Sequence, residues 1–345
     1  MTNPLTTHLF GALLSDAEVA DLFSAPSVLA RMLAVEAAWT RGLEAVGEVS
    51  PVDAAAALAA IDGFQGLDLR EGSLRDGVPV PALVAALRDG LPEAVARAIH
   101  TGATSQDILD SAMVLVLRDL LDLFEARLGQ AVVALRDLET RFGAAPLMAR
   151  TRMQAALPAS ASLRLDAWRR PLEDHLARLP AMRAELLMVQ IGGPIGARDV
   201  SEEMVASVAT SLGLGHGPVW HTDRSAMVSL GHWLSLVAGS LGKIGQDVAL
   251  MAQQGVNEIA LAGGGASSAM AHKSNPVTAE TLVGLARYVG GQQGILTQAL
   301  IHEQERSGAA WAVEWLCLPA MAEATGAALS GAVRMLANVE RVGKA

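Results

Sequence analysis

The chain has 345 residues, of which 51% are apolar and 18% are charged, and its formal net charge is −10. This length and apolar content exclude an intrinsically disordered chain and allow two or three domains with a substantial core. The acidic balance, 36 Asp and Glu against 26 Lys and Arg with no basic cluster, argues against a nucleic-acid partner.

The single cysteine, Cys317, excludes an internal disulfide and is typical of a cytoplasmic protein. Residues 1–10 lack the basic and apolar regions of a signal peptide. The uncharged stretch 225–242 has the length of a membrane span but contains three Gly, four Ser and a His. We therefore interpret it as a buried core helix and expect no membrane partner.

The first hundred residues are predicted to form short helices separated by turns. Apolar residues at helical spacing predict a helix over residues 17–46, which Gly47 ends. The Gly-rich, polar stretch 63–77 predicts a loop, and a further helix is expected over residues 82–87. Aromatic residues make up only 3% of the chain, which also favours helices over strands.

Long helices are predicted after Gly102. The first has Thr104 or Ser105 as its cap and continues to residue 142 with one apolar stripe. Three more are predicted over residues 160–190, 222–258 and 277–304. The second of these carries Gly at 239, 242 and 245, where another helix could approach closely. No alternating strand pattern competes, so the predicted fold class is all-α, a long-helix bundle with apolar faces shared between subunits.

Three polar or glycine-rich segments interrupt these helices. Residues 100–107, His-Thr-Gly-Ala-Thr-Ser-Gln-Asp, place hydroxyls and an amide at a helix N-terminus, which suits a carboxylate, although helix capping alone also explains them. Residues 149–158 contain two Arg, a Thr and a Gln ahead of a Pro. Arg152 could bind a carboxylate with two hydrogen bonds, although a solvated turn between helices also explains the segment. Residues 263–276, Gly-Gly-Gly-Ala-Ser-Ser-Ala-Met-Ala-His-Lys-Ser-Asn-Pro, are typical of a mobile loop in a gated active site.

These segments carry a resemblance to a known family. Residues 263–276 closely resemble the Gly-Ser-Ser-x-Met-Pro-x-Lys-x-Asn-Pro motif of the fumarase/aspartase superfamily. Residues 104–107, Thr-Ser-Gln-Asp, and 150–154, Arg-Thr-Arg-Met-Gln, match its other two motifs in order and spacing. Further stretches, including residues 220–224 and 303–308, are similar to bacterial 3-carboxy-cis,cis-muconate cycloisomerases, and the resemblance covers nearly the whole chain.

The resemblance implies a helical subunit that assembles into a homotetramer through its long central helices. Each active site would then combine segments from three subunits. We expect an N-terminal helical domain over residues 1–101, a central long-helix bundle over 102–320 and a short C-terminal helical tail over 321–345. Relatives commonly run longer, so we expect the C-terminal domain to be reduced or missing.

The activity implied by the resemblance is the interconversion of 3-carboxy-cis,cis-muconate and 4-carboxymuconolactone, a step of protocatechuate degradation, through a carbanion held as an aci-carboxylate. The implied substrate is a small tricarboxylate, and neither an organic cofactor nor a metal is implied. Lys273 and Asn275 match the positions that bind the substrate carboxylate and stabilise the dianion, beside a catalytic serine. The positions that contact substrate are matched by His100, Thr104, Ser105, Gln106, Gln154 and Arg306.

The register of the motif identifies the catalytic serine. In the family motif the acid/base serine precedes the lysine by six residues, which here identifies Ser267 rather than Ser268. A serine alkoxide needs loop N–H groups and a nearby cation to be stabilised. We therefore expect Ser267 to transfer the proton and Ser268 to contribute less.

Arg152 departs from the superfamily pattern, which has a His at this position. A guanidinium cannot act as a general acid or base near neutral pH, so Arg152 is expected to bind substrate through its charge. This argues against fumarase, argininosuccinate lyase and adenylosuccinate lyase activity. Ala271 also replaces the motif's Pro.

Three alternatives remain: a superfamily lyase, a cycloisomerase of a related diacid, and a catalytically silent scaffold. The intact set of Ser267, Lys273 and Asn275 argues against the last of these.

Overall fold

The computed structural model describes residues 9–66, 68–266, 270 and 273–343, which are mostly helical. The helices are α1 (Gly11–Leu14), α2 (Ala17–Leu22), α3 (Ala25–Ala45), α4 (Pro51–Asp62), α5 (Arg70–Asp76), α6 (Val80–Arg88), α7 (Glu93–Arg97), α8 (Ser105–Phe142), α9 (Ala161–Leu186), α10 (Glu202–Leu212), α11 (Ser225–Met251), α12 (Val277–Leu296) and α13 (Gly308–Ala337). A 3-10 turn, Thr297–Leu300, follows α12.

Short strands form antiparallel pairs at the helix connections. Strand β1 (Pro146–Thr151) pairs with β2 (Gln154–Ser160), and β3 (Ile259–Leu261) pairs with β6 (Val339–Val342). Strand β4 (Gly265–Ala266) pairs with β5 (Ser274–Asn275). These pairs lie at the ends of long helices, and they add Leu147, Ile259, Val339 and Val342 to the buried core.

The core is a bundle of α8, α9, α11, α12 and α13, against which α3 also packs. The apolar stripe predicted for α8 is buried in it: Ile108, Leu121, Phe124, Leu128 and Leu135 are all 0% exposed. Burial of such side chains is worth about 1.5–3 kcal/mol each, so the stripe explains why a helix of 38 residues is stable. The all-α fold class predicted from the sequence is therefore confirmed.

Glycines bring α11 and α12 into close contact. A Cβ on Gly242 would lie 2.5 Å from the Cβ of Ala286, and a Cβ on Gly245 would overlap the carbonyl oxygen of Ala279. Gly239 differs, because no described atom lies within 4 Å of the place where its Cβ would be. Two of the three glycines singled out in the sequence therefore permit the close approach within the chain.

Several helix boundaries predicted from the sequence are wrong. The single helix expected over residues 17–46 breaks between α2 and α3, because the Ser24 side chain caps α3 and Pro26 occupies its first turn. The loop expected over residues 63–77 contains α5, and the helix expected over 222–258 ends at Met251. The helix expected over 277–304 ends at Leu296, where the 3-10 turn begins.

Residues 146–160 form the hairpin β1–β2, although no strand was expected there. Arg152 and Met153 occupy its tip with φ of 48° and 68°, so the turn is left-handed without a glycine. Such turns match the twist of the flanking strands but are normally made by Asn and Gly. The usual turn signal is absent from this sequence, which explains why the hairpin was not predicted.

One described helix, α13, is long and apolar enough to cross a membrane by length and composition, but 78% of its most apolar window is buried inside the fold. The stretch 225–242 lies within α11, where Leu230, Leu234 and Val237 are buried, as expected for a core helix. Helix α13 also contains residue 320, at which a domain boundary was expected. The division into domains stays a prediction.

We expect Gly245→Ala to lower the melting temperature, because the added methyl group would overlap α12, and overpacking typically costs ~1–3 kcal/mol. Gly239→Ala is the matched control in the same helix, and its higher helix propensity should raise stability by about 0.5–1 kcal/mol. Thermal unfolding followed by circular dichroism measures both. Equal melting temperatures for the two variants would contradict the close approach of α11 and α12.

Candidate active site

The N-terminus of α8 carries four of the predicted substrate-binding residues: His100, Thr104, Ser105 and Gln106. Thr104 is the N-cap, and its backbone N–H donates to Oδ2 of Asp107 at 3.0 Å. The remaining N–H groups of the first turn and the helix dipole favour an anion here. Capping and carboxylate binding are therefore compatible at this helix end.

Asp107 also fixes a neighbouring glycine loop. Its carboxylate accepts hydrogen bonds from the backbone N–H of Gly192 at 2.8 Å and of Gly193 at 3.1 Å. The carboxyl group is 1% exposed, and burial raises its pKa to about 6. Asp107 therefore holds the loop that follows α9 against the first turn of α8.

Arg306 joins this helix end from a distant part of the chain. Its Nε donates to Oε1 of Gln106 at 3.0 Å, and its Nη2 donates to Oγ1 of Thr104 at 3.2 Å and to the Pro194 carbonyl at 3.3 Å. The side chain is exposed. The structure thus brings Arg306 together with the first segment, and a cation faces solvent beside a helix N-terminus.

His100 is held by a buried carboxylate. Its Nδ1 lies 2.7 Å from Oε1 of Glu36, which is 0% exposed, and its backbone is left-handed with φ of 60°. Trp39 and Thr40 donate to the carbonyls of Thr101 and Ala98 and secure the same turn. Helix α3 therefore positions His100.

A buried charge network lies beneath this site. Arg224, 1% exposed, contacts both oxygens of Asp110 at 2.7 and 3.0 Å and both oxygens of Glu314 at 2.7 and 2.6 Å. Nε1 of Trp311 donates to Asp110 at 3.0 Å, and the Arg224 guanidinium lies 4.7 Å from the Trp220 ring centroid. These contacts tie the N-terminal ends of α8, α11 and α13 together.

The second segment lies on the exposed hairpin. Arg152 is at its tip and Gln154 begins β2, and both side chains are exposed. Arg150 anchors the hairpin through Glu258, whose two carboxylate oxygens are each 2.6 Å from its Nη1. Glu258 precedes β3, so the hairpin lies beside the connection between α11 and α12.

The third segment belongs to that same connection. Lys273 is exposed, and Asn275 lies in β5, paired with Gly265. Among the described residues, neither Lys273 nor Arg152 has an ion-pair partner, so both cations are available to an anion. Ser267, Ser268 and Ala271 lie outside the described residues, and their roles stay predictions.

No group of three or more His, Cys, Asp or Glu that could hold a metal ion occurs in the described part of the chain.

The predicted site residues therefore fall into two groups at opposite ends of the bundle. The first group consists of the α8 N-terminus and Arg306. The second group is near the C-terminal end of α8, where Arg141 donates to the Val339 carbonyl in β6, which pairs with β3. A helix of 38 residues spans about 57 Å at about 1.5 Å per residue. One chain alone cannot bring both groups to one small substrate.

Several residues of the first group were not predicted from the sequence. His221, 4% exposed, places Nε2 at 3.1 and 3.0 Å from Nε and Nη2 of Arg306. Glu36 and Asp110 were also missed as supports of His100 and Gln106. Glu36 had one readable signal, an acidic residue in the otherwise apolar face of α3. His221 belongs to the stretch 220–224 that is similar to cycloisomerases, but its role was not readable there, because its partner is 85 residues away in the chain.

Comparison with known proteins places this architecture in a family. Residues 19–291 match the family described as lyase, which is most of the chain. The chain belongs to this lyase family, and the resemblance to the fumarase/aspartase superfamily is confirmed.

Individual relatives match over nearly the full chain. A 3-carboxy-cis,cis-muconate cycloisomerase of Pseudomonas aeruginosa is 35% identical, over 99% of this chain and 77% of the relative. A nitrosuccinate lyase of Streptomyces davaonensis is 34% identical, over 90% of this chain and 70% of the relative. The crystal structure of a 3-carboxy-cis,cis-muconate lactonizing enzyme from Pseudomonas putida superimposes with a TM-score of 0.90 at 35% identity, over 96% of this chain and 77% of that one.

Asp107→Asn is expected to change how stability depends on pH. The pKa of Asp107 is about 6 in the fold against an ordinary 3.8. The free energy of unfolding of the wild type therefore falls by roughly 2–3 kcal/mol as pH rises from about 4 to 6, because the fold disfavours the ionised carboxyl. Asn does not titrate, so the melting temperature of the variant minus that of the wild type should increase across this window. A difference that is constant with pH would contradict the raised pKa.

Proposed function

We propose that the protein is a cycloisomerase that interconverts 3-carboxy-cis,cis-muconate and 4-carboxymuconolactone. Relatives of this name align with nearly the whole chain, and the choice among superfamily reactions rests on Arg152. Its guanidinium stands where superfamily lyases carry a histidine, and it is exposed at a hairpin tip. The substrate is a trianion, so a further fixed positive charge favours its binding by a chain whose net charge is −10.

The chemistry explains why a histidine is dispensable. In lactonisation, a carboxylate oxygen of the muconate bonds to an alkene carbon, and the π electrons move to the carbon next to another carboxylate. That carboxylate holds the charge as an aci-carboxylate, and a proton is then added to the carbon. The attacking oxygen is already an anion and needs no base. A lyase that expels an amine must protonate its leaving group, which Arg152 cannot do.

Each predicted residue has a role in this scheme. Ser267 delivers the proton, and the substrate trianion becomes a lactone dianion with the uptake of one proton from water. Lys273, Asn275 and Arg152 stabilise the developing dianion and bind carboxylates. Arg306 and the N-terminus of α8 bind a further carboxylate, with Gln154 and the first segment completing the contacts. No metal or organic cofactor takes part in these steps.

We propose further that the protein is a homotetramer whose active sites combine segments from three subunits. The separation of the two residue groups by the length of α8 supports this, because only different chains can place them around one substrate. The single cysteine, Cys317, is buried, in keeping with a reducing cytoplasm, which we propose as the location.

A lyase acting on a substituted succinate is the second candidate function. The Streptomyces davaonensis relative named nitrosuccinate lyase favours it at 34% identity. Arg152 is compatible with this candidate too, provided that the leaving group departs as a weakly basic anion that needs no proton. An amine-releasing lyase is not compatible.

Incubation with 3-carboxy-cis,cis-muconate should cause loss of diene absorbance with the uptake of one proton per molecule converted. Ser267→Ala should lower kcat by about 100-fold or more with little change in KM, because general acid catalysis contributes ~10²–10⁴-fold. Ser268→Ala is the matched control and should lose much less. Fumarate formation from nitrosuccinate without muconate turnover would favour the second candidate, and activity on neither would favour a silent scaffold.

Mixing two inactive variants tests the shared site. Arg306→Ala and Lys273→Ala change opposite ends of the helical bundle, so mixed tetramers should contain sites with both residues intact. Random assembly from equal amounts restores about a quarter of wild-type activity, since each site needs two intact contributions from different chains. The activity assay after co-expression measures the recovery.

The control for this experiment pairs Arg306→Ala with Gln106→Ala. These two residues are in contact within one chain, so no mixed tetramer contains a site with both intact, and little activity should return. Equal recovery in the two mixtures, or none in either, would contradict a site shared between chains.

A further inference from the structure

His221 lies directly behind Arg306 in the first group of site residues. It precedes α11 and is 4% exposed, whereas Arg306 is exposed. Its Nε2 lies 3.1 Å from Nε and 3.0 Å from Nη2 of Arg306. An arginine nitrogen has only hydrogens to offer, so Nε2 must act as the acceptor.

The acceptors around Arg306 contact two of its three guanidinium nitrogens, Nε and Nη2. Nε faces Gln106 and His221, and Nη2 faces Thr104, Pro194 and His221. Among the described residues, Nη1 has no hydrogen-bond partner. The arrangement therefore leaves both hydrogens of Nη1 for an external acceptor such as a carboxylate.

Both ring nitrogens of His221 face donors. Nδ1 lies 3.4 Å from the amide Nε2 of Gln190, whose Oε1 accepts from the Trp220 backbone N–H at 3.0 Å. A neutral imidazole accepts at only one nitrogen, and the shorter contacts with the charged Arg306 make Nε2 that acceptor, which leaves the proton on Nδ1. Burial and the charge of Arg306 lower the pKa of His221 to about 4. The ring is therefore neutral near pH 7.

Charged and titratable groups surround His221 from several elements. Arg306 and His302 lie on the segment before α13, Arg224 precedes α11, and Asp110 lies in α8. Asp110 favours the protonated ring, whereas the two arginines and His302 oppose it. A protonated ring would have no acceptor for Arg306 and would repel it.

We propose that His221 is a positioning residue that fixes Arg306 for substrate binding. Its neutral Nε2 accepts from the Nε and Nη2 edge, so that Nη1 is presented to a substrate carboxylate. This inference rests on the proposed function for the identity of the carboxylate. The contact itself is independent of any substrate.

His221→Leu removes the acceptor at similar volume, and His221→Gln replaces it with an amide oxygen near the place of Nε2. KM for 3-carboxy-cis,cis-muconate should rise by about tenfold or more in the Leu variant, with kcat within about threefold of wild type. The Gln variant should restore KM to within about threefold. Melting temperatures of both variants establish that they are folded.

The pH profile supplies a readout that a merely structural role would not change. The wild-type imidazole accepts from Arg306 only above its folded pKa, so binding should weaken as pH falls through about 4. The ratio of KM for the wild type to KM for His221→Gln should therefore rise as pH falls from 6 to 4, because substrate ionisation is common to both. A constant ratio would overturn the inference.

Crystal structures of both variants separate this inference from the proposed function. Arg306 should keep its contacts with Gln106 and Thr104 in His221→Gln and lose them in His221→Leu. An unmoved Arg306 in the Leu variant, or an equal rise in KM for both variants, would refute the positioning role. If the wild type does not convert the muconate, the proposed function fails, and the two crystal structures still decide the role of His221.

Discussion

The buried contact of Arg224 with Asp110 and Glu314 is the interaction on which the site end of the bundle depends. It joins three helices, α8, α11 and α13, near whose N-terminal ends the first group of site residues lies, and it buries one positive and two negative charges. Loss of one partner in such a network typically costs ~3–5 kcal/mol, because the remaining charge stays buried and unpaired. Asp110 also accepts a hydrogen bond from Gln106. The network therefore fixes the side chain of Gln106, which in turn contacts Arg306.

Sequence reasoning identified the helical bundle because its signals are local and periodic. The stripe of α8 and the glycines of α11 each predict burial from spacing alone. The ends of the helices were predicted less reliably than their existence. The break at Ser24 and the end of α11 at Met251 depend on caps and on the residues that pack beyond them. The hairpin at Arg152 was missed because its left-handed turn lacks the residues that usually form one.

The candidate site was predictable only where a motif carries it. Thr104, Gln106 and Arg306 were proposed from motif positions, and the structure brings them together. His221 and Glu36 act through contacts with residues far away in the chain, and a local pattern, such as the acidic residue on the apolar face of α3, does not identify the partner. Motif positions carry no distances, so the placement of the second and third segments at the far end of α8 is visible only in the fold.

The length of α8 has a consequence for how such chains can diverge. Because the helix is both core and spacer, inserting one residue would turn one end by about 100° relative to the other and shift it by about 1.5 Å. Half of the buried stripe would then face solvent, and the two residue groups would lose their mutual orientation. Insertions and deletions are therefore excluded from its 38 residues and must accumulate in the connections.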